Sequence, residues 1–269
     1  MSILIFPKCR LVDLSVPVQT PGEEEMEPNL VESLAADIRY LDHEDTSQLV
    51  QNYFGCQKED LMGGFGWATE RLRLSSHAGT HVDAPYHYYP TCQDKPARTI
   101  DQCPLEWYFG PGVVLDMSHK RPGETVSAQD VEAELGRIGC TLHPGDIVCV
   151  RFDTDKTFGT WAYWNAHPGM SDSAVRYILD HGVKVIGVDS PGFDIPFCMT
   201  KEKFAQSHDR SILWEAHHAG IDYDYSHIEK LANLDKIPPY GAYICCFPVS
   251  LYHASASWTR AVAFVPEEE

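Results

Sequence analysis

Eleven consecutive residues, His77-Ala78-Gly79-Thr80-His81-Val82-Asp83-Ala84-Pro85-Tyr86-His87, carry three histidines and one carboxylate, all at odd positions. In an extended chain side chains alternate with period two, so odd positions share one face. A helix is disfavoured by Gly79, by the β-branched Thr80 and Val82, and by Pro85. Imidazole and carboxylate are the ligand types of zinc and manganese, and metal–ligand bonds of about 2 Å require the donors to converge.

Convergence imposes a condition on the backbone. On a straight strand His77 and His81 stand roughly 13 Å apart, at about 3.3 Å per residue, too far for one ion. The chain must bend between them, and Gly79 is the residue that permits it. His81 and Asp83, two apart, can meet one ion without special geometry. Pro85 then turns the chain, so that His87 can return to the edge of the site. The competing reading is that strand histidines are commonly just satisfied polar residues, and thirteen histidines in the chain make chance neighbours common. Four potential ligands on one face, with Gly and Pro at the bends, favour a metal site over that alternative.

The elements that must hold this stretch alternate between strand and helix patterns. Strands are expected over Arg10–Val16, Trp67–Ser76, Gly112–Met117, Ile147–Phe152, Val183–Val188, Tyr243–Pro248 and Arg260–Val265. Helices are expected over Ser127–Ile138, with Gly139 after its end, over Ser171–His181, closed by Gly182, and over Ile212–Ala219, stopped by Gly220. Helices this few predict an α/β fold with a mixed sheet rather than a doubly wound one. Thr20 to Pro28 is polar and rich in Pro and Glu, a helix is expected around Leu30–Leu41, and residues 20–64 as a whole form a candidate substrate-covering insertion or a helix packed on the surface. Phe65 and Trp67 share the strand face of the odd motif positions, which makes them candidate aromatic walls for a planar substrate or plain core residues. No G-x-G-x-x-G, no G-x-x-x-x-G-K-[ST] and no G-x-S-x-G elbow occurs.

Composition narrows the class. The 269 residues are 43% hydrophobic and 22% charged, ordinary globular values, and are read as one domain spanning 1–269. A net charge of -18, from 39 acidic and 21 basic residues, argues against nucleic acid and anionic membrane surfaces as partners. No apolar run approaches a bilayer span, and the start of the chain lacks a signal-peptide pattern. The nine cysteines are odd in number and contain no C-x-x-C, which fits free thiols in a reducing cytosol and predicts a cytoplasmic protein.

The pattern H-x-G-T-H-x-D-x-P-x-H, filled here by His77, Gly79, Thr80, His81, Asp83, Pro85 and His87, resembles the signature of the cyclase-like metal-dependent hydrolases. That family includes bacterial kynurenine formamidase and isatin hydrolase. Val12-Asp13-Leu14-Ser15 is similar to its opening strand, and Gly187-Val188-Asp189-Ser190-Pro191 to its G-[IV]-D-[ST]-P segment. Glu229-Lys230-Leu231-Ala232-Asn233-Leu234 resembles its E-N-L-x-N-L run, with Lys230 a departure. The match covers nearly the whole chain except residues about 20–64.

The resemblance implies a swivelling β/β/α fold in a homodimer or larger homo-oligomer. It implies that His77, His81 and Asp83 bind a divalent cation, zinc or manganese, and that Asp83 can bridge to a second one. His87 is then the general acid/base rather than a ligand. Dinuclear members use a histidine twelve residues before the glutamate of E-N-L, which points to His217 and Glu229, with His218 a competing assignment; the isatin hydrolase branch has glutamine where this chain has Glu229. The implied reaction is hydrolysis of a small amide, formamide or lactam by a metal-activated water, with His87 giving a proton to the departing nitrogen, a role suited to an imidazole titrating near neutrality. Lactone opening, or cyclisation or dehydration of a polyketide-like substrate, is the enzymatic rival; a non-catalytic metal or ligand-binding protein is the other. His167, in an H-P-G turn, is read as structural or as pocket edge, and Asp189 and Asp194 as loop caps or as outer partners of the ligands.

Overall fold

The computed structural model describes residues 8–267 except 23, 27–29, 32 and 33. A nine-stranded mixed sheet organises the chain: β1 (Cys9–Asp13), β2 (His81–Asp83), β3 (Phe109–Asp116), β4 (Ile147–Arg151), β5 (Val185–Val188), β6 (Ser226–Glu229), β7 (Ala242–Cys245), β8 (Ala256–Trp258) and β9 (Val262–Pro266). Their spatial order is β1-β9-β7-β3-β4-β5-β6-β2-β8. The four central strands, β3 to β6, run parallel, and every outer pairing is antiparallel.

The parallel strands β4 and β5 are buried on both faces, as their near-continuous apolar sequences require. Val148 and Val150 enter one core, and Ile147 and Cys149, one residue out of phase, enter the other. The first core is covered by helices Ala128–Ile138 and Asp172–Asp180, which pack on each other. The former starts at a capping box between Ser127 and Asp130 and stops at Gly139, whose φ of 68° is the left-handed value a C-terminal glycine supplies.

Three sequence expectations change. Of the helix expected over Leu30–Leu41, residues 32 and 33 lie outside the described residues, and Asp37–Leu41 is a strand. It pairs antiparallel with Thr69–Arg73, all that forms of the strand expected over Trp67–Ser76. Glu70, Arg71 and Arg73 put charge on both faces of that segment, so it forms a hairpin outside the buried sheet. Third, Ile212–Ala219 is not one helix but two 3-10 turns, Arg210–Ile212 and Glu215–Ile221. Within the polar stretch from Thr20 to Pro28, residues 23, 27 and 28 lie outside the described residues. No helix among the described residues is long and apolar enough to cross a membrane, and all nine cysteines are free.

Candidate metal centre

The site is assembled on the antiparallel pair β2–β6, where Glu229 stands opposite His81 and His227 opposite Asp83. Directly opposed residues project to the same face, and so do residues two apart on one strand. Four side chains of the types that can ligate a metal, His81, Asp83, His227 and Glu229, therefore rise from one small patch of sheet. His77 joins them from the turn ahead of β2. Gly79 makes that turn at φ +61°, and a Cβ there would lie 2.6 Å from Val18 Cγ2, so any side chain would be strained and would displace Val18. Thr80 pins the turn, accepting from Val16 N at 2.9 Å and donating to Lys230 O at 2.5 Å.

The bend brings the donors together. His77 Nδ1 lies 3.1 Å from His81 Nε2 and 2.9 Å from Asp83 Oδ1, and His81 Nε2 lies 3.3 Å from the same oxygen. Glu229 Oε2 is 3.4 Å from His81 Nε2. His81 Nδ1 sits 3.0 Å from Gly79 O, which fixes its proton there and leaves Nε2 with a lone pair for the site. Both oxygens of Asp83 are fully buried and neither has a hydrogen-bond partner of acceptable angle. A buried carboxylate whose oxygens accept no hydrogen bond leaves lone pairs to be satisfied. This donor set fits a divalent cation.

His87 is not on extended chain. Pro85 starts a single helical turn, Pro85–Tyr88, and that turn carries His87 back over the site. Its Nε2 is 3.9 Å from Asp83 Oδ2 and its ring 4.2 Å from that of His77. Burial pushes the His87 imidazole down to about 4, away from the near-neutral value expected for it. Burial acts the other way on Asp83, but His87, His77 and His81 around it hold the carboxyl well below the usual range.

His217, from the second 3-10 turn, is the histidine that reaches the site. Its Nδ1 meets Asp194 Oδ2 at 2.7 Å, so Asp194 orients this ring. Burial opposes a charge on His217, but the hydrogen bond to Asp194 outweighs it and raises the imidazole above its ordinary value. His218 lines neither this site nor its cavity among the described residues. Asp189 caps a loop, accepting from the backbone N–H groups of Phe152 and Asp153, each at 2.9 Å. His167 is buried at the pocket edge with Nδ1 2.8 Å from Pro168 O.

His77, His87, His217 and Glu229 line the polar end of a cavity of about 240 Å³ whose other walls include Trp164, Phe193, Phe197 and Trp214. Leu30 and Leu34, from the segment ahead of the motif, also line it. Phe65 and Trp67 do not. Phe65 borders a separate depression with Asp42, His43 and Glu44, and Trp67 stacks on Tyr53 at 6.1 Å. Two residues escaped the sequence reading. Lys230, the departure in the E-N-L run, is buried with its ammonium on His77 O at 2.9 Å and over the Trp164 ring at 5.6 Å. His227 lies on β6, a strand with no apolar run to mark it; the period-two spacing in Ser226-His227-Ile228-Glu229 is the signal available for it.

The chain matches the model of the Cyclase family ("Putative cyclase") over residues 12–195. It is 30% identical over 224 residues to an isatin hydrolase of Roseibium aggregatum, covering 76% of each chain. It is 29% identical over 192 residues to a kynurenine formamidase of Salinibacter ruber, covering 71% of this chain and 77% of that one. Among solved structures, an isatin hydrolase bound to the product analogue thioisatinate superposes with a TM-score of 0.74 at 24% identity, over 96% of this chain and 93% of that one. Isatin hydrolase A from Ralstonia solanacearum superposes with a TM-score of 0.73 at 24% identity, over 96% and 92%. The two structures share this curled mixed sheet, and the family match extends from β1 through the motif to Ile195: the protein is a member of the Cyclase family.

Proposed function

We propose that the protein is a metal-dependent hydrolase that cleaves a C–N bond of a small aromatic amide, formamide or lactam. The observation that carries this is the meeting of His77, His81 and Asp83 within 2.9 to 3.3 Å at the end of an aromatic-walled cavity. The names of the two relatives, isatin hydrolase and kynurenine formamidase, support the same bond type. When bound, a divalent cation supplies a water of lowered pKa and polarises the substrate carbonyl. The chain's own residues do the rest. Trp164, Phe193, Phe197 and Trp214 bind a planar ring and exclude bulk water. His87, left unprotonated by its burial, faces the cavity beside Asp83, takes the proton that the attacking water gives up and passes it to the departing nitrogen, a poor leaving group without it. Leu30 and Leu34 give residues 20–64 a covering role over the bound ring. The test is a screen of metal-loaded protein against N-formylkynurenine, isatin and aromatic lactones. Turnover of the amides at a kcat/KM well above that of the lactones is expected; turnover of lactones alone overturns the C–N assignment.

The site would hold two cations in this reading, zinc or manganese, with His77 and His81 on one, His217 on the other, and the carboxylates of Asp83 and Glu229 shared between them. A carboxylate can give one oxygen to each of two cations about 3.5–4 Å apart, whereas an amide offers one neutral oxygen and leaves excess positive charge. Glu229→Gln should lower the content from two ions per chain to one, read by elemental analysis. A wild-type protein that holds one ion under excess metal refutes the dinuclear assignment.

The homo-oligomeric reading draws on the arm from 37 to 73, where Tyr53, Phe54 and Met62 are 67%, 69% and 94% exposed. Large apolar side chains clustered at a surface mark contact sites. Light scattering should find a dimer or larger assembly that dissociates in the double variant Phe54→Asp, Met62→Asp. A wild-type monomer at micromolar concentration removes the proposal.

A further inference from the structure

His227 faces Asp83 in the β2–β6 register, so both side chains rise from the same side of the sheet. The imidazole is completely buried. Its Nε2 is 2.7 Å from the Tyr225 hydroxyl, while its Nδ1 is buried with no hydrogen-bond partner. The ring is held in place. Phe193 stacks on it with centroids 3.5 Å apart and planes within 7°, and the Tyr88 ring lies 4.6 Å away. The Tyr88 hydroxyl also accepts from the His227 backbone N–H at 2.7 Å. A ring so confined cannot turn Nδ1 towards another partner.

One donor atom each from Asp83, His217, His227 and Glu229 lie within 4.8 Å of one another. The two imidazoles of this group are supported alike: an outer oxygen, from Asp194 or Tyr225, holds one ring nitrogen and leaves the other uncommitted. That is how ligating histidines are oriented. With Nε2–H donating to Tyr225, Nδ1 of His227 carries a lone pair, the form a cation needs. Packing alone gives a buried acceptor nothing in return for its lost water.

We propose that His227 is a metal ligand, joining Asp83, His217 and Glu229 through Nδ1 to make a four-donor site for the second divalent cation. This rests on the two-cation reading above and adds to it. Two nitrogens and two oxygens fill a tetrahedral complement, so this ion acts as a fixed charge, and the position open to water belongs to the ion of His77, His81 and Asp83.

The test is titration of chelator-stripped protein with Co²⁺, followed by calorimetry and visible absorption, which report affinity and coordination without turnover. Wild type should bind two ions. His227→Gln should keep one at wild-type affinity and weaken the other by roughly 100-fold, and Tyr225→Phe, which leaves every ligand in place, by roughly 10-fold. Circular dichroism of the metal-free proteins checks folding, and Tyr225→Phe decides the matter if the His227 variant does not fold. A folded His227→Gln that binds both ions as tightly as wild type overturns the proposal while leaving the hydrolase reading intact. A wild type that binds no cation overturns both.

Discussion

Stripped of divalent cations by a strong chelator, the protein is expected to lose turnover almost completely and to regain it on adding zinc or manganese. The described site offers imidazoles and carboxylates but no serine, threonine or cysteine facing the cavity beside them, so attack on an amide depends on an activated water. Cation assistance is worth several kcal/mol of transition-state stabilisation, which at about 1.4 kcal/mol per tenfold corresponds to roughly 10³-fold or more. His81→Ala should reproduce the chelator effect, because His81 Nε2 touches His77, Asp83 and Glu229 at 3.1, 3.3 and 3.4 Å and stands between both halves of the site. Elemental analysis and single-turnover rates on the same preparations provide the measurement. Full activity in demonstrably metal-free protein would end the mechanism as stated.

Gly79 shows how much of this site could be read before folding. Ligand chemistry, together with the 13 Å estimate for a straight strand, demanded a bend at that residue, and the bend is there at φ +61°. Local rules carried well where local forces decide, as in the helix from Ala128 to Ile138 with its Ser127 and Gly139 caps. They failed where pairing partners decide. Thr69–Arg73 follows its hairpin partner Asp37–Leu41 out of the sheet, and a three-residue strand, His81–Asp83, is held by neighbours on both sides. The β-branched Thr80 and Val82 mark that stretch as extended, but nothing local names its partners. The cavity walls escape local reading for the same reason: Trp164, Phe193 and Trp214 come from turns and short helices far apart in sequence, whereas Phe65 and Trp67, placed by period two on the face of the odd motif positions, lie outside the cavity.

His87→Ala should separate proton transfer from metal binding. His87 shares with His77 and Asp83 a group whose donor atoms lie within 4.8 Å of one another, so it is a ligand candidate by distance as well as a proton carrier. Geometry favours the carrier. Its Nε2 stays 3.9 Å from Asp83 Oδ2, while His77 and His81 close to 2.9 and 3.3 Å on Oδ1. The ring also lines the cavity where a substrate nitrogen would leave. The variant should therefore retain its metal and lose roughly 10²- to 10⁴-fold in kcat. Leaving-group dependence sharpens the test. A group that protonates the departing nitrogen matters less as that nitrogen becomes a better leaving group, so the loss should shrink across a series of anilides with increasingly electron-withdrawing rings. A ligand to the cation affects every member of the series alike. Loss of metal equal to that of His81→Ala, together with a penalty constant across the series, would move His87 from proton transfer into the coordination of the cation.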